Sequence, residues 1–214
     1  MTKYLSFIIL TLCSISVAFG QYDQKALQIL DAVSLKYQKM PAFKVDFKYN
    51  LKSDAEKIDE TATGSLTVKG GKYYLKMKDQ EIYNDQTTVW TYLKESNEVN
   101  ITNHDPKADD FTPAKIYTMY KKGFKYAFVE ETTIEGKPYD VVDLTPEDRT
   151  KDIFKVRIVI DKKESTIRSY EVFEKKGRRY TFSILKLDPA VQVKDNFFQF
   201  DKAKHPNVFT VDLR

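Results

Sequence analysis

Gly64-Ser-Leu-Thr-Val-Lys-Gly-Gly-Lys-Tyr-Tyr-Leu-Lys-Met77 is the stretch whose reading decides the fold. Its first five residues alternate between small or polar and apolar side chains, the period-2 mark of a strand with one buried face. Gly70-Gly71 then supplies a dipeptide that reaches positive φ at no steric cost, which suits a tight hairpin. On the return, Tyr73, Leu75 and Met77 share one face, while Lys72, Lys76 and Lys78 mostly take the other. Short strands are predicted next at 81–83, 87–93 and 98–101, separated by Asn84-Asp85-Gln86 and by Ser96-Asn97. Strands joined only by tight turns are antiparallel neighbours, so 64–101 reads as a meander and as the floor of an apolar hollow.

Upstream, Asp23 is placed to cap a helix running to about residue 39. Ala26, Ile29, Leu30, Val33, Tyr37 and Met40 form its apolar stripe, and Pro41 stops it. Residues 43–51 alternate strictly, which puts Phe43, Val45 and Phe47 on one face, and the charged run 52–60 reads as a loop or exposed turn. Downstream, Thr112-Pro113 sets a cap and a first-turn proline ahead of a short helix at 114–121. Its apolar members Ile116, Tyr117, Met119 and Tyr120 are too many for one narrow stripe. Strands are predicted at 124–129 and 139–144, then a second meander at 153–160, 165–174 and 178–187, with a last apolar run at 208–213. About ten strands make an antiparallel sheet that must curl, fully into a barrel or partly with its concave side covered by helices. The helices at 23–39 and 113–120 are the candidates for that cover.

The first twenty residues are read apart from the rest. Lys3 is a small positive start, residues 5–17 are mostly apolar, and Ala18-Phe19-Gly20 places small residues where a signal peptidase reads. Cleavage before Gln21 is expected, leaving residues 21–214 as a single domain with no linker and no fixed repeat. The apolar run is shorter than the ~20 residues that span a bilayer. The one cysteine, Cys13, lies inside it, so the mature chain is expected to be exported yet to hold no disulfide and no thiol chemistry. Without Lys3 the net charge falls from +4 to +3. Such a weak, interspersed excess argues against a nucleic-acid partner, which usually shows a clustered basic face.

Catalytic constellations are hard to assemble. His104 and His205 are the only histidines, and neither GxSxG nor a phosphate-binding glycine loop occurs. His104 with Asp105, Asp109 and Asp110 matches no calcium-loop spacing, and zinc ligation normally draws on Cys and His. A non-enzyme with no metal, no cofactor and no catalytic residue is the expectation. The apolar positions fit either a plain core or a ligand cavity.

The order of motifs separates those two. Gly64-Ser-Leu-Thr-Val-Lys69, Asn84-Asp85-Gln86-Thr87-Thr88-Val89-Trp90-Thr91-Tyr92, Thr112-Pro113, Asp143-Leu144-Thr145-Pro146, Ile158-Val-Ile-Asp161, Phe198-Gln-Phe200 and Val211-Asp-Leu-Arg214 follow one another along the mature chain. In that order they resemble the periplasmic outer-membrane lipoprotein carrier family, LolA. The resemblance implies a mainly β (α+β) fold: one antiparallel sheet of about ten to eleven strands curled into an unclosed half-barrel, its concave side covered by two or three short helices. It implies a periplasmic, monomeric carrier that holds the acyl chains of lipoproteins. An inner-membrane lipoprotein-releasing transporter would load it, and an outer-membrane acceptor or the membrane surface would unload it. Matching the family's cavity motifs points to Tyr37, Tyr73, Leu75, Met77, Ile82, Ile116, Tyr117 and Val156; periodicity adds Val33, Phe43, Val45, Phe47 and Met119. Where the family often has a lid-latching arginine this chain has Gly70, with Lys69 and Lys72 nearby, so a different latch is expected. A lipid-sensing regulator of the same fold, a carrier of other envelope lipids and a lipid hydrolase are the alternatives.

Overall fold

Asp23 starts the first element as its sequence position predicts. In a computed structural model, which describes residues 23–106 and 115–214, the Asp23 carboxylate accepts the Lys25 and Ala26 amides at 2.7 and 3.2 Å, and α1 (Gln24–Gln38) follows. Its other oxygen accepts the Phe128 amide at 2.9 Å, so the cap also pins the helix to a strand distant in sequence. The buried side of α1 carries Ala26, Leu30, Val33, Ser34 and Tyr37, close to the expected stripe. The predicted signal peptide, Asp109, Asp110 and Thr112-Pro113 lie outside the described residues.

The strands are β1 (Phe43–Ser53), β2 (Ile58–Lys69), β3 (Lys72–Met77), β4 (Gln80–Asn84), β5 (Thr88–Leu93), β6 (Glu98–Asn103), β7 (Phe124–Ile134), β8 (Lys137–Pro146), β9 (Ile153–Asp161), β10 (Thr166–Glu174), β11 (Arg179–Asp188) and β12 (Phe209–Asp212). They form one open, twelve-stranded sheet in the order β12-β6-β5-β4-β3-β2-β1-β11-β10-β9-β8-β7. The mainly β, unclosed half-barrel is therefore the architecture, with four differences from the expectation. There are twelve strands, and the last, β12, pairs parallel to β6 where a wholly antiparallel sheet was expected. The charged run 52–60 is mostly strand, because β1 and β2 stay paired from Phe43–Val68 to Ser53–Ile58 and turn only between them. Among the described residues the cover has one α-helix where two or three were expected; the remaining helical pieces there are 3-10 turns at Met119–Lys121, Asp195–Phe198 and Lys202–Lys204.

Bulges give the sheet its curl. Register shifts leave Arg168 unopposed against β9, Leu185 against β1, Phe154 against β10 and Val129 against β8. An extra residue on one strand raises the local twist and bends it. The same shifts account for three of the exposed large apolar side chains, since Val129, Phe154 and Leu185 are all bulge residues. Gly64 serves the curl differently. It stands opposite Phe47, whose ring lies over it; a Cβ there would come within 2.6 Å of Phe47 Cζ and 2.8 Å of the Lys76 carbonyl oxygen.

Each face has its own cover. Under α1 the apolar residues of β1, β2, β8, β9 and β10 make the main core. On the opposite face of β3–β5 lies the chain's tail. Phe197 meets Tyr74 edge-on at 5.2 Å, Phe200 packs on Tyr83 and Tyr92, and Phe198 is fully buried. Lys69 and Lys72 hold the tail through Asp195, at 2.8 and 3.6 Å.

Two stability predictions follow from the cap and the close approach. Gly64→Ala should destabilise the fold by about 1–3 kcal/mol, because the Lys76 backbone must move as well as the Phe47 ring; a melting curve unchanged from wild type would contradict this. The Asp23 carboxyl is held below the usual aspartate range, chiefly by the Phe128 amide and against the cost of burial. Its contribution is thus fully present at neutral pH and is lost as pH falls through the folded value. Asp23→Ala should cost about 0.5–2 kcal/mol at pH 7, and denaturant curves of the two proteins should converge in acid.

Candidate functional site

Tyr37 closes the C-terminal end of the buried stripe of α1. Its hydroxyl accepts the Ile167 amide at 3.3 Å, its ring stacks on Tyr117 at 5.0 Å and 13°, and it meets Phe43 edge-on at 5.2 Å. Tyr117 in turn meets Phe43 at 6.0 Å and 74°. Three rings therefore tie together α1, the segment around Tyr117 and β1. Aromatic pairs of this kind contribute about 0.5–1.5 kcal/mol each beyond the area they bury.

Beneath the rings lies a cavity at the seam between β1 and β11, where the two halves of the chain meet. Phe43, Val45, Phe47 and Leu66 come from β1 and β2, and Ile167, Tyr170, Phe182 and Ile184 from β10 and β11; Tyr37, Ile116 and Tyr117 complete the lining. No charged side chain of the described residues lines it. Burial pushes the Tyr37 hydroxyl up to about 12 and raises those of Tyr117 and Tyr170, so the phenols stay neutral at pH 7. The cavity measures about 20 Å³. That is room for about one water, against ~300 Å³ at the lower end for small-molecule sites. Ile116 and Tyr117 are the lining side chains that come from outside α1 and the sheet.

The segment that supplies Ile116 and Tyr117 is not the predicted helix. Residues 115–118 form a turn and Met119–Lys121 a single 3-10 turn, closed by Thr118–Lys115, Lys121–Thr118 and Lys122–Met119 backbone bonds of 2.9, 3.2 and 3.3 Å. Ile116 and Tyr120 are buried, and Gly123 at φ +76° takes the chain away. Tyr120 Oη donates to Asp31 Oδ1 of α1 at 2.5 Å. Burial, reinforced by this bond to a carboxylate, pushes the Tyr120 hydroxyl upward. Lys69 and Lys72 are engaged with the tail through Asp195, and the bond from Tyr120 to Asp31 ties the segment to α1.

Of the residues singled out from sequence, Tyr37, Phe43, Val45, Phe47, Ile116 and Tyr117 line the cavity. Val33, Leu75 and Val156 are buried in the core around it, and Tyr73, Met77, Ile82 and Met119 are half-buried against that core. Sequence reasoning missed Leu66, Ile167, Tyr170, Phe182 and Ile184. Leu66 was within reach, since it alternates with Gly64 and Val68 and pairs with Val45. Ile167 and Tyr170 were hidden by the Arg168 bulge, which brings residues of opposite parity to one face. His104 Nδ1 lies 3.0 Å from Asn84 Nδ2, and His205 stacks on Phe200 at 4.5 Å, so the two histidines are in different settings. No group of three or more potential metal ligands occurs among the described residues.

A family model described as outer membrane lipoprotein carrier protein LolA matches residues 17–178. No curated protein matches the chain in sequence. Among solved structures, an uncharacterised conserved protein from Thermus thermophilus superimposes with a TM-score of 0.59 at 10% identity, covering 88% of this chain and 99% of that one. A putative outer membrane lipoprotein-sorting protein domain from Vibrio parahaemolyticus gives 0.48 at 12% identity, over 82% and 97%. A LolA superfamily protein from Nitrosomonas europaea gives 0.45 at 11%, over 83% and 98%.

Tyr120→Phe removes one charge-assisted hydrogen bond and leaves the ring. It should weaken the attachment of residues 115–121 by about 1.5–3 kcal/mol. Amide exchange in that segment should quicken by at least tenfold while the core of α1 is unaffected. Unchanged exchange would mean that the bond to Asp31 does not hold the segment.

Proposed function

We propose that this chain, which belongs to the LolA family of outer membrane lipoprotein carrier proteins, holds the acyl chains of lipoproteins in the space now filled by Ile116 and Tyr117. The observation that carries the reading is an uncharged apolar cavity roofed by a segment without regular helix. In this reading residues 115–121 close the cavity and cargo displaces them.

Magnitudes favour exchange over simple filling. Each methylene taken from water contributes about 0.8 kcal/mol, so an acyl chain does not cross water unescorted. A carrier that gained all of that would not release its load. Returning Ile116 and Tyr117 to the cavity recovers about 1.5–3 kcal/mol per side chain, equivalent to roughly four to eight methylenes for the pair. Closing thus opposes filling, and net affinity stays intermediate. Met77 and Met119, half-buried beside the core, have the flexible thioether chains that repack around cargo of differing shape.

The same reading makes residues 1–20 a cleaved export signal and residues 21–214 the working domain, in the periplasm and as a monomer. An inner-membrane lipoprotein-releasing transporter loads it, and an outer-membrane acceptor or the membrane surface unloads it. No covalent step and no cofactor is needed.

Photo-crosslinking tests the placement. Benzoylphenylalanine at Tyr117 or Phe43 should give adducts bearing the acyl chains of a co-incubated lipoprotein. The same group at Trp90, whose partner Tyr83 lies on the tail-covered side of the sheet, should not. Equal labelling at all three, or labelling at Trp90 alone, would place the cargo elsewhere.

A further inference from the structure

Asp140 breaks the pattern of its strand. On β8 it shares a face with Val142 and Leu144, both fully buried in the core beneath α1. Across the sheet it pairs with Ile160, and Ile160 pairs with Ile167. A carboxylate therefore holds a place in a row that is otherwise aliphatic. Asp140 is only 5% exposed, and its Oδ1 has no hydrogen-bond partner among the described residues. Burying a carboxylate without a partner is costly, and departures from the binary pattern collect where a protein has a use for them.

The cations that act on Asp140 are engaged elsewhere. Lys162 pairs with Glu131, and Lys25 lies over the Phe128 ring, 3.4 Å from its centroid. Their pull is outweighed by burial, and the Asp140 carboxyl is pushed above the ordinary aspartate value. Asp140 lines a cleft of about 200 Å³ beside α1, together with Gln28, Ile29, Ala32, Asp161, Ser165 and Lys162, whose ammonium is paired with Glu131. Ala32 is five residues before Tyr37, which sets the cleft about 8 Å along the helix from the apolar cavity.

We propose that this cleft takes a primary ammonium group borne next to acyl chains, with the Asp140 carboxylate as its counter-ion. An ammonium has three donors to place, and the Ser165 hydroxyl and the Gln28 amide oxygen are the neutral acceptors beside the carboxylate. The inference rests on the carrier reading and adds polar recognition to it. The amine has two sources, the headgroup of phosphatidylethanolamine or the free α-amino group of an acylated N-terminal cysteine.

The test uses the full mature chain and two matched pairs of ligands. One pair is dioleoyl phosphatidylethanolamine against dioleoyl phosphatidylglycerol; the other is a diacylated lipopeptide with its α-amine free against the same peptide acetylated. Retained ligand is quantified by mass spectrometry after gel filtration. The amine-bearing member of at least one pair should be retained about tenfold better, and the pair that shows it identifies the source. In Asp140→Asn that ratio should fall to about one with total acyl retention unchanged. Ala32→Trp, on an exposed helix position, should fill the cleft and do the same if Asp140→Asn fails to fold. Ratios near one in wild type, or a ratio that survives the substitutions, overturn the site and leave the carrier reading standing. Failure of wild type to retain any of the four ligands removes both.

Discussion

A sheet of twelve strands is about 58 Å wide at ordinary spacing, and a helix of fifteen residues is about 22 Å long. That mismatch governs the molecule. The curl brings part of the concave face together, but one helix cannot cover the rest. What α1 leaves open is closed by Ile116 and Tyr117, held by ring stacking and by the bond from Tyr120 to Asp31. The two parts of the cover are attached unequally. The helix is capped by Asp23, pinned to β7 and sunk along its whole buried stripe. The 115–121 segment has one 3-10 turn and local bonds, so it is the part that yields first.

The other side of the sheet is closed differently. There the tail is held by ion pairs to Asp195 and by interleaved rings, and beneath it the buried Glu81 accepts Tyr83 Oη at 2.7 Å and pairs with Lys94 at 3.1 Å. Lys94 also donates to the Met77 carbonyl at 2.8 Å. Such contacts are directional, and a displaced partner leaves a buried charge behind. The roof over the concave cavity has few of them. One face is held mostly by directional polar contacts and the other is sealed mostly by apolar ones.

Alternation was readable wherever parity survives. Residues 43–51 and 64–77 pair without a break, and the facing of Phe43, Val45, Phe47 and Leu75 follows directly. Parity fails at Arg168, so Ile167 and Tyr170 could not be assigned to one cavity by counting twos. The 114–121 helix was overpredicted because the cap and the proline speak only for a start, and Gly123 at φ +76° ends the segment within little more than two turns. β12 has only four residues, and whether so short a strand pairs parallel is decided by the edge it reaches. Asp140 was hidden for another reason. Tyr139-Asp-Val-Val142 is buried on both faces, and a strand buried on both sides shows no alternation against which an aspartate would stand out.

The unjoined edges of the sheet have a mechanical meaning. β7 and β12 each have a neighbour on one side only, so the circumference is not set by a closed ring of hydrogen bonds. Widening the trough requires only that the strands untwist a little at their irregular points, with every ladder bond kept. A sealed barrel of fixed girth would have to stretch or tear to admit a thicker occupant, whereas this one can flex open like a cuff.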